Sequence, residues 1–401
     1  MNRLVVGGQS IDTVPLAHGL SDEYDILIVH GNPEKDEMEY ATFLDTANGL
    51  QFKKISALKR SINPLNDIYA FIELYRTIKK FKPAVVHTHG SKPGVTGRLA
   101  AWFANVPVII HTFHGHLFHS YYNRFVSSVI IRLERMLSKI SNKIIVLSTE
   151  QATEIAEKYK ITSHAKIKLI PLGAADELSE QDADLFRTTL RKTYSLSEDD
   201  VAIAIIGRMV AVKNHRLFID IIIAMLPELR DKVKFFLIGD GELKQELQQQ
   251  LSNANIAYSN RNDNSTASVI FTSWVTPVTS VLHGMDIVVV TSLNEGTPLS
   301  LIEAQICRKP VVAADVGGVR DSFIDNASGF LIHKNEVAEY TDKLKLLIEN
   351  KELRNCMGGK GHIFATEKFS KQEEINAFKK LYTDCLEEVK ERDVASKKYN
   401  N

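Results

Sequence analysis

The sequence predicts an α/β protein with two doubly wound domains of similar size. Short apolar strands alternate with helical patterns along the 401 residues, and one polar stretch divides them into two series. Such alternation is typical of mainly parallel sheets. A chain of this length is also too long for a single compact core. Because ligands of such sheets bind at the carboxyl ends of the strands, we expect a site in the cleft between the domains.

The first series contains five predicted strands separated by helical patterns. The clearest helix covers residues 66–81, where apolar side chains recur at helical spacing before the break at Pro83. Its periodic residues are Ile68, Phe71, Ile72, Tyr75 and Ile78. The predicted strands are residues 3–6, 25–29, 84–87, 108–112 and 143–147.

A hinge is predicted after Pro171-Leu-Gly173, because the acidic residues 174–184 that follow lack apolar periodicity. The second series then begins. Its predicted strands are residues 201–206, 234–238, 269–272, 287–290, 310–313 and 329–332.

Composition indicates a soluble cytoplasmic protein. Hydrophobic residues make up 44% of the chain and charged residues 24%. The chain contains no apolar run long enough to span a bilayer, so we expect no membrane span. No leader pattern precedes the first strand, so we do not expect export. The cysteines lack paired spacing, which disfavours a disulfide framework or a zinc site and favours packing in helices. They are Cys307, Cys356 and Cys385.

Charge is unevenly distributed although the net charge is zero. Residues 51–143 hold 15 Lys and Arg against 3 Asp and Glu, and no acid lies between Glu73 and Glu134. This half can attract nucleotide phosphates, a phospholipid surface or nucleic acid, and charge alone does not choose among them. A solvated basic face is the alternative.

Two carboxylates around a Gly-Thr-Pro turn are the most informative feature. The run 287–290 is typical of a buried strand, and Pro298 suits the first turn of a helix that continues from Leu299. Glu295 therefore falls in a strand-to-helix loop, and Glu303 one to two turns inside the helix. Free N–H groups at a helix start attract phosphate, and paired carboxylates accept hydrogen bonds from sugar hydroxyls. An ordinary pair of solvated acids is the alternative.

Three glycine-containing loops follow predicted strands. Residues 207–214 carry Arg208 and Lys213, which suit a diphosphate or form a surface charge cluster. Residues 238–243 contain glycines that serve a tight turn or a ligand contact. The turn containing Gly8 follows the first strand and can face a phosphate, but it is not the fingerprint of a nicotinamide-binding loop.

Six of the thirteen histidines fall at the ends of two consecutive strands. Metal binding is disfavoured, because no acidic or cysteine ligand lies nearby and the surroundings are basic. A cleft-facing imidazole that hydrogen-bonds a sugar or phosphate oxygen fits better, and His114 beside Gly115 is the preferred candidate. The six are His87, His89, His111, His114, His116 and His119.

Together these residues resemble the retaining glycosyltransferases of family 4, whose two-Rossmann-domain architecture is called GT-B. The resemblance covers nearly the whole chain. It rests on the E-x7-E pair Glu295 and Glu303, the Gly-Arg-x4-Lys loop of Arg208 and Lys213, and His114-Gly115. The stretches 87–98, 111–122 and 292–303 further resemble a bacterial subgroup that builds surface polysaccharides on lipid carriers.

The resemblance implies two Rossmann-like doubly wound domains with an interdomain cleft. Residues 1–173 would form the acceptor-side domain, completed by a C-terminal helix, residues 371–401, that crosses back to it. Residues 174–370 would bind the nucleotide-sugar donor.

Site roles are likewise implied by the resemblance. Arg208 and Lys213 would bind the donor diphosphate, Glu303 the ribose, and Glu295 with the following backbone the sugar. The catalytic set would be His114, Glu295, Arg208 and Lys213. The donor-binding set would be Gly8, Arg208, Lys213, Trp274, Val275, Glu295, Gly296, Thr297, Pro298, Leu299 and Glu303. Two departures are a short first strand and Thr272-Ser-Trp274, where many relatives have a glycine.

The implied reaction is transfer of a sugar, with retention, from a nucleoside diphosphate donor, expected to be a UDP-sugar, to a hydroxyl of a lipid-linked or other saccharide. No metal or other cofactor is expected. A nucleotide-sugar epimerase and a non-catalytic nucleotide-sugar-binding subunit are the alternatives. Nucleic acid is not an expected partner, because no recognised binding motif is present.

The basic and aromatic segment 118–143 is a candidate for contact with an anionic membrane on its inner, cytoplasmic face. A packed helix with one wet face is the alternative. Its relevant residues are Tyr121, Tyr122, Arg124, Phe125, Ile130, Ile131, Arg132, Arg135, Met136 and Lys139.

Overall fold

The computed structural model describes residues 1, 3–5, 8–33, 50–59, 63–115, 124–174, 179–230, 232–260 and 267–399. Two compact units divide the chain. Unit 1 comprises Met1–Gly173 and Lys371–Asn401, and unit 2 comprises Ala174–Ser370. Each unit is an α/β structure with parallel strands.

Unit 1 contains two separate parallel sheets in its described part. Strands β1 (Leu27–His30) and β2 (Gln51–Lys54) pair with each other. The larger sheet has the order β3-β4-β5-β6. These strands are β3 (Val85–His89), β4 (Val108–Thr112), β5 (Lys143–Val146) and β6 (Ile167–Leu169). Both β3 and β4 end in polar residues, so histidines and threonines line this edge of the sheet.

Helices cover the sheets of unit 1. The long last helix packs on α1 and buries Ile375, Phe378 and Tyr382 against the apolar side of β4. Its burial explains why residues after unit 2 belong to unit 1. The helices are α1 (Gly8–Leu20), α2 (Pro64–Phe81), α3 (Ser91–Phe103), α4 (Arg124–Ile140), α5 (Thr149–Thr153) and α13 (Lys371–Tyr399).

The prediction for the first strand was wrong. Within residues 3–5, Arg3 forms an isolated parallel bridge with Gly31 rather than part of a ladder. Gly8, expected in a loop after that strand, is instead the first residue of α1. Val6, the last residue of that predicted strand, and Gly7 lie outside the described residues.

Unit 2 is built on one mixed-order, fully parallel sheet in the residues that the structure describes. The strand order is β13-β12-β11-β7-β8-β10-β9. Strand β7 lies between β11 and β8, so the winding direction reverses between β7 and β11. The strands are β7 (Val201–Ile206), β8 (Val233–Ile238), β9 (Tyr258–Asn260), β10 (Val269–Ser273), β11 (Ile287–Val290), β12 (Val311–Ala314) and β13 (Gly329–Ile332).

Apolar side chains from both faces of this sheet are buried under helices, as the continuous β-branched runs predict. On one face Phe218 and Tyr340 lie in the core, and on the other Leu301 does. The helices are α6 (Glu180–Thr193), α7 (His215–Leu229), α8 (Lys244–Asn253), α9 (Thr279–Leu282), α10 (Leu299–Ile306), α11 (Val337–Glu349) and α12 (Lys351–Lys368).

Two smaller predictions also need correction. Pro298 is the N-cap residue of α10 in an extended conformation, and the helix begins one residue later. Cys307 and Cys385 are buried as expected, but Cys356 is exposed on α12 and does not pack in the core.

No helix among the described residues is long and apolar enough to cross a membrane.

Candidate functional site

Glu295 lies in the loop after β11, as predicted, and it is the centre of a hydrogen-bonded group. Its side chain is 9% exposed. The Lys213 ammonium donates to its Oε1 at 2.6 Å, and the Ser292 hydroxyl donates to the same oxygen at 2.5 Å. The largely buried carboxyl thus accepts two hydrogen bonds on one oxygen, one of them from a cationic donor. The structure thus brings together two of the residues that the sequence singled out.

Backbone bonds hold the two loops in this arrangement. The Thr291 hydroxyl donates to the carbonyl oxygens of Lys213 and Asn214 at 3.2 and 3.0 Å. The Leu293 N–H donates to the Val212 carbonyl at 2.8 Å. These loops follow β7 and β11, the neighbouring strands at which the winding reverses. The pair of Lys213 and Glu295 therefore marks the position where doubly wound sheets bind ligands.

Arg208 lies on the same loop as Lys213, one residue after Gly207. The next residue, Met209, donates its N–H to the Asp240 carbonyl at 2.9 Å. A third loop, Gly239-Asp-Gly241, is thereby joined to the Arg208 loop.

The glycines of that third loop serve backbone packing. Gly239 has a φ of +132°, and an added Cβ would lie 2.2 Å from the Gly207 carbonyl oxygen. A Cβ on Gly241 would lie 2.6 Å from the Met209 carbonyl oxygen. Of the two sequence interpretations, the structure supports the tight turn.

Gly317 is a site residue that the sequence analysis missed. It has a φ of +51°, and an added Cβ would lie 2.0 Å from the Glu295 carbonyl oxygen. The neighbouring Gly318 N–H donates to that oxygen at 3.2 Å. Only a residue without a side chain fits here, so Gly317 fixes the backbone that presents Glu295. The Gly-Gly pair after β12 was the available signal.

Glu303 is the fifth residue of α10, where the sequence placed it. Burial raises the pKa of its carboxyl to about 8. No described residue forms a hydrogen bond with this carboxyl, and no described side chain caps the start of α10. The start of α10 is suited to an anionic group of a ligand. The Glu303 carboxyl, which has no partner among the described residues, is suited to hydrogen-bond donors of a ligand.

His215 was also missed, although it follows the Lys213 loop directly. It begins α7 and is 1% exposed. Burial, together with the charge of Lys213, lowers its pKa to about 3. Neither ring nitrogen has a hydrogen-bond partner among the described residues. The ring is therefore neutral at physiological pH.

Trp274 and Val275 follow β10 at the same edge of the sheet. The Ser273 hydroxyl donates to Asp240 at 2.9 Å, which ties this segment to the third loop. Two strands, β8 and β7, separate β10 from β11. Trp274 and Val275 are thus placed toward one side of the candidate site, away from Glu295.

In unit 1, the rings of His87, His89 and His114 lie against one another at the ends of β3 and β4, with centroids 4.1 Å apart for His87 and His89 and 5.1 Å apart for His89 and His114. His89 Nδ1 lies 2.8 Å from His114 Nε2. His87 lies 2.7 Å from both the Tyr382 hydroxyl and the Thr112 hydroxyl. Burial lowers the pKa of His87 to about 3 and lowers the pKa of His114, with Asp12 opposing the latter shift. These imidazoles are therefore held neutral at physiological pH.

His111 is separate from these three rings, because it lies within β4 and hydrogen-bonds the Thr88 hydroxyl at 2.8 Å. His116 and His119 lie outside the described residues, as do Tyr121 and Tyr122. Within the described ranges, no group of three His, Cys, Asp or Glu side chains is arranged to hold a metal ion.

Comparison with known proteins assigns the two halves of the chain. Residues 6–178 match the family Glycosyltransferase Family 4, and residues 186–362 match Glycosyl transferases group 1. Among curated relatives, the UDP-Gal:alpha-D-GlcNAc-diphosphoundecaprenol alpha-1,3-galactosyltransferase of Escherichia coli is 29% identical over 336 residues, 83% of each chain. The capsular polysaccharide biosynthesis glycosyltransferase CapM of Staphylococcus aureus is 24% identical, covering 82% of this chain and 84% of CapM.

Solved structures share the architecture. Anabaena HepE in complex with UDP and glucose superposes with a TM-score of 0.75 at 18% identity, covering 94% of this chain and 96% of HepE. WaaG, a glycosyltransferase involved in lipopolysaccharide biosynthesis, gives a TM-score of 0.69 at 12% identity, with 92% and 96% coverage. The two Rossmann-like domains are thus those of the GT-B fold, and with both family matches the chain belongs to the GT-B glycosyltransferases of family 4.

Proposed function

We propose that this protein transfers a sugar from a UDP-sugar to a hydroxyl of a lipid-linked saccharide, with retention of anomeric configuration, in bacterial polysaccharide biosynthesis. The observation that carries the proposal is the Lys213–Glu295 pair at the switch point of unit 2, beside the start of α10 and Glu303. The names of the relatives support a UDP-linked donor and a diphosphate-lipid acceptor.

The donor diphosphate would lie against the loop of Arg208 and Lys213. Negative charge grows on the diphosphate as the bond to the sugar breaks, so these cations stabilise the transition state more than the ground state. The backbone N–H groups of Gly296, Thr297 and Leu299 face the same charge at the start of α10.

The carboxylates would bind hydroxyls rather than attack carbon. Glu303, whose carboxyl has no partner among the described residues, would accept hydrogen bonds from the ribose. Lys213 and Ser292 both donate to the Oε1 atom of Glu295. The Oε2 atom would then accept a hydrogen bond from a sugar hydroxyl. Trp274 and Val275, toward the β10 side, would contact the nucleobase.

The proton of the acceptor hydroxyl would pass to the departing phosphate oxygen, on the face where the new bond forms. Retention of configuration follows if attack and departure share that face. His114 would hydrogen-bond the transferred sugar through the ring nitrogen that His89 leaves free. His89 would act as a positioning residue, because its bond fixes the orientation of the His114 ring.

Fixed cations and helix N–H groups would replace a divalent metal in this mechanism. Activity is therefore expected to persist in excess chelator and to be unchanged by added Mg²⁺ or Mn²⁺. Complete loss on chelation, with recovery on metal addition, would contradict this part of the proposal.

A lipid-linked acceptor would bring the reaction to the cytoplasmic face of a membrane. Helix α4 presents Phe125, Val129 and Met136 to solvent together with Arg132 and Lys139, and such a face suits an anionic bilayer. Arg135, which belongs to the predicted membrane segment, instead forms a hydrogen bond within unit 1, donating to the Tyr159 carbonyl at 2.6 Å.

Thermal unfolding with UDP-, GDP-, ADP- and dTDP-sugars tests the donor. A ligand at 100 times its dissociation constant adds about 2.7 kcal/mol to the free energy of unfolding. We expect a selective shift with a UDP-sugar, followed by transfer to a lipid-linked saccharide with an α-linkage retained from the donor. Absence of any shift would refute the donor site, and donor isomerisation without an acceptor would favour an epimerase.

A further inference from the structure

Helix α2 of unit 1 carries an apolar surface that the fold does not bury. Leu65, Ile68, Tyr69 and Ile72 are 80%, 58%, 56% and 37% exposed. They recur at helical spacing, so they form one stripe. Ile68 and Ile72 are among the apolar residues whose spacing predicted the helix, but they do not lie on its buried face. Instead the buried face is formed by Ala70, Leu74, Thr77 and Ile78.

Basic residues continue the same stripe toward the end of the helix. One and two turns beyond Ile72, Arg76, Lys79 and Lys80 are exposed. The acid at the start of the helix, Asp67, is paired with Lys92 at 2.5 Å and lies off the stripe. We define the α2 face as Leu65, Ile68, Tyr69, Ile72, Arg76, Lys79 and Lys80. Glu73, four residues after Tyr69 and three before Arg76, lies at the border of this face and is half-buried.

Aromatic residues at the end of α3 enlarge this surface. Trp102 and Phe103 are 50% and 55% exposed, and the Phe103 ring packs edge-to-face on Phe71 of α2 at 5.9 Å between centroids. Exposed aromatic and aliphatic groups beside a row of bases are typical of helices that lie in the headgroup region of a bilayer.

We propose that the α2 face docks on the surface of an anionic lipid bilayer, with Leu65, Ile68, Tyr69 and Ile72 inserted among the headgroups. Arg76, Lys79 and Lys80 then contact lipid phosphates. A second copy of the chain is a poorer occupant, because the three bases of this face outnumber Glu73, the half-buried carboxylate at its border. This inference rests on the lipid-linked acceptor proposed above, and it adds the surface that brings the enzyme to that acceptor.

Flotation of the full-length protein with phosphatidylcholine vesicles, with and without 30% phosphatidylglycerol, tests the proposal. We expect flotation with the anionic vesicles alone, and weaker flotation in high salt. Lys79→Glu with Lys80→Glu is expected to weaken binding by at least about 25-fold, since each cation near the surface is worth about fivefold. Ile68→Glu with Ile72→Glu is expected to abolish it.

Leu185→Glu on α6 is the matched control, because Leu185 is an equally exposed aliphatic residue, 63% exposed, in unit 2. It is expected to float like the wild type. All variants change exposed residues and should keep the wild-type melting temperature. Wild-type flotation of both α2 variants, or no flotation of the unaltered protein, would overturn the proposal.

Two further readouts distinguish docking through α2 from docking through α4 and from dimer formation. Loss of flotation in Phe125→Glu with Met136→Glu, but not in the α2 variants, would assign docking to α4 instead. A wild-type dimer in sedimentation that Ile68→Glu with Ile72→Glu dissociates would assign the face to a second copy. Transfer to a water-soluble acceptor is expected to be unchanged in the α2 variants, and its absence in the wild type would count against the proposed function rather than the docking surface.

Discussion

Replacing Glu303 with Gln is expected to stabilise the free protein at alkaline pH while weakening its affinity for UDP. The two effects share one cause. Glu303 lies on α10 without a hydrogen-bond partner among the described residues, and burial raises the pKa of its carboxyl from 4.5 to about 8. Ionisation of Glu303 therefore destabilises the free protein, and it is favourable only when a ligand supplies hydrogen-bond donors to the carboxylate.

The sign and size of the stability effect follow from that pKa. Because the native carboxyl holds its proton more tightly than the unfolded one, the native state loses stability as pH rises from 4.5 to about 8. Each pKa unit corresponds to about 1.36 kcal/mol, which sets an upper bound of about 5 kcal/mol. Partial solvent access of this side chain reduces the expected loss to about 2–3 kcal/mol. Glutamine does not ionise, so the variant does not lose this stability as the pH rises.

Chemical denaturation of both proteins at pH 5 and pH 9 measures this difference. Glu303→Gln is expected to match the wild type at pH 5 and to exceed it by about 2–3 kcal/mol at pH 9. Its UDP affinity is expected to fall at least about tenfold, because hydrogen bonds to a charged acceptor contribute about 1.5–3 kcal/mol. Binding of UDP to the wild type at pH 7 should release protons, which calorimetry in buffers of different ionisation enthalpy detects. Equal stability at both pH values together with equal UDP affinity would refute the reasoning.

The remaining substitutions address the cations and the backbone of the site. Lys213→Ala or Arg208→Ala is expected to reduce kcat about 100-fold, as loss of an oxyanion donor does, and near-normal turnover in either would end its assigned role. Gly317→Ala is expected to lower the free energy of unfolding by about 2–4 kcal/mol, because φ is +51° and the added Cβ meets the Glu295 carbonyl at 2.0 Å. Gly359→Ala, in an open helical position, should be neutral or stabilise by up to about 1 kcal/mol, so similar losses in both would argue against the steric explanation.

The sequence was sufficient to predict local structure where composition and period agree. Strand β11 has the predicted bounds, because a β-branched run of this length is typical of a strand buried on both faces. The loop position of Glu295 and the helical position of Glu303 follow directly. The prediction of the first strand failed because a short apolar run forms a strand only if distant residues pair with it, and its own composition does not determine that pairing.

Contacts between distant segments could not be predicted. Lys213 and Glu295 are 82 positions apart and meet because β7 is the neighbour of β11, an order that no periodicity encodes. Gly317 shows the same limit, since a glycine pair signals a special backbone but not the carbonyl that it approaches. Helical period likewise predicted α2 without showing that Ile68 and Ile72 remain exposed.

The Lys213–Glu295 pair also has a consequence for donor binding. In the free protein the Lys213 charge is partly neutralised by Glu295 at 2.6 Å, so an entering diphosphate must share that cation. Glu295→Gln keeps the side-chain shape and removes the competing charge. Because an ion pair of this partial exposure contributes up to about 1 kcal/mol, UDP is expected to bind up to about fivefold more tightly to this variant. Transfer should nevertheless slow, since the proposed sugar contact weakens. The variant would then separate diphosphate affinity from sugar transfer, whereas weaker UDP binding would show that Glu295 supports the diphosphate site rather than competing with it.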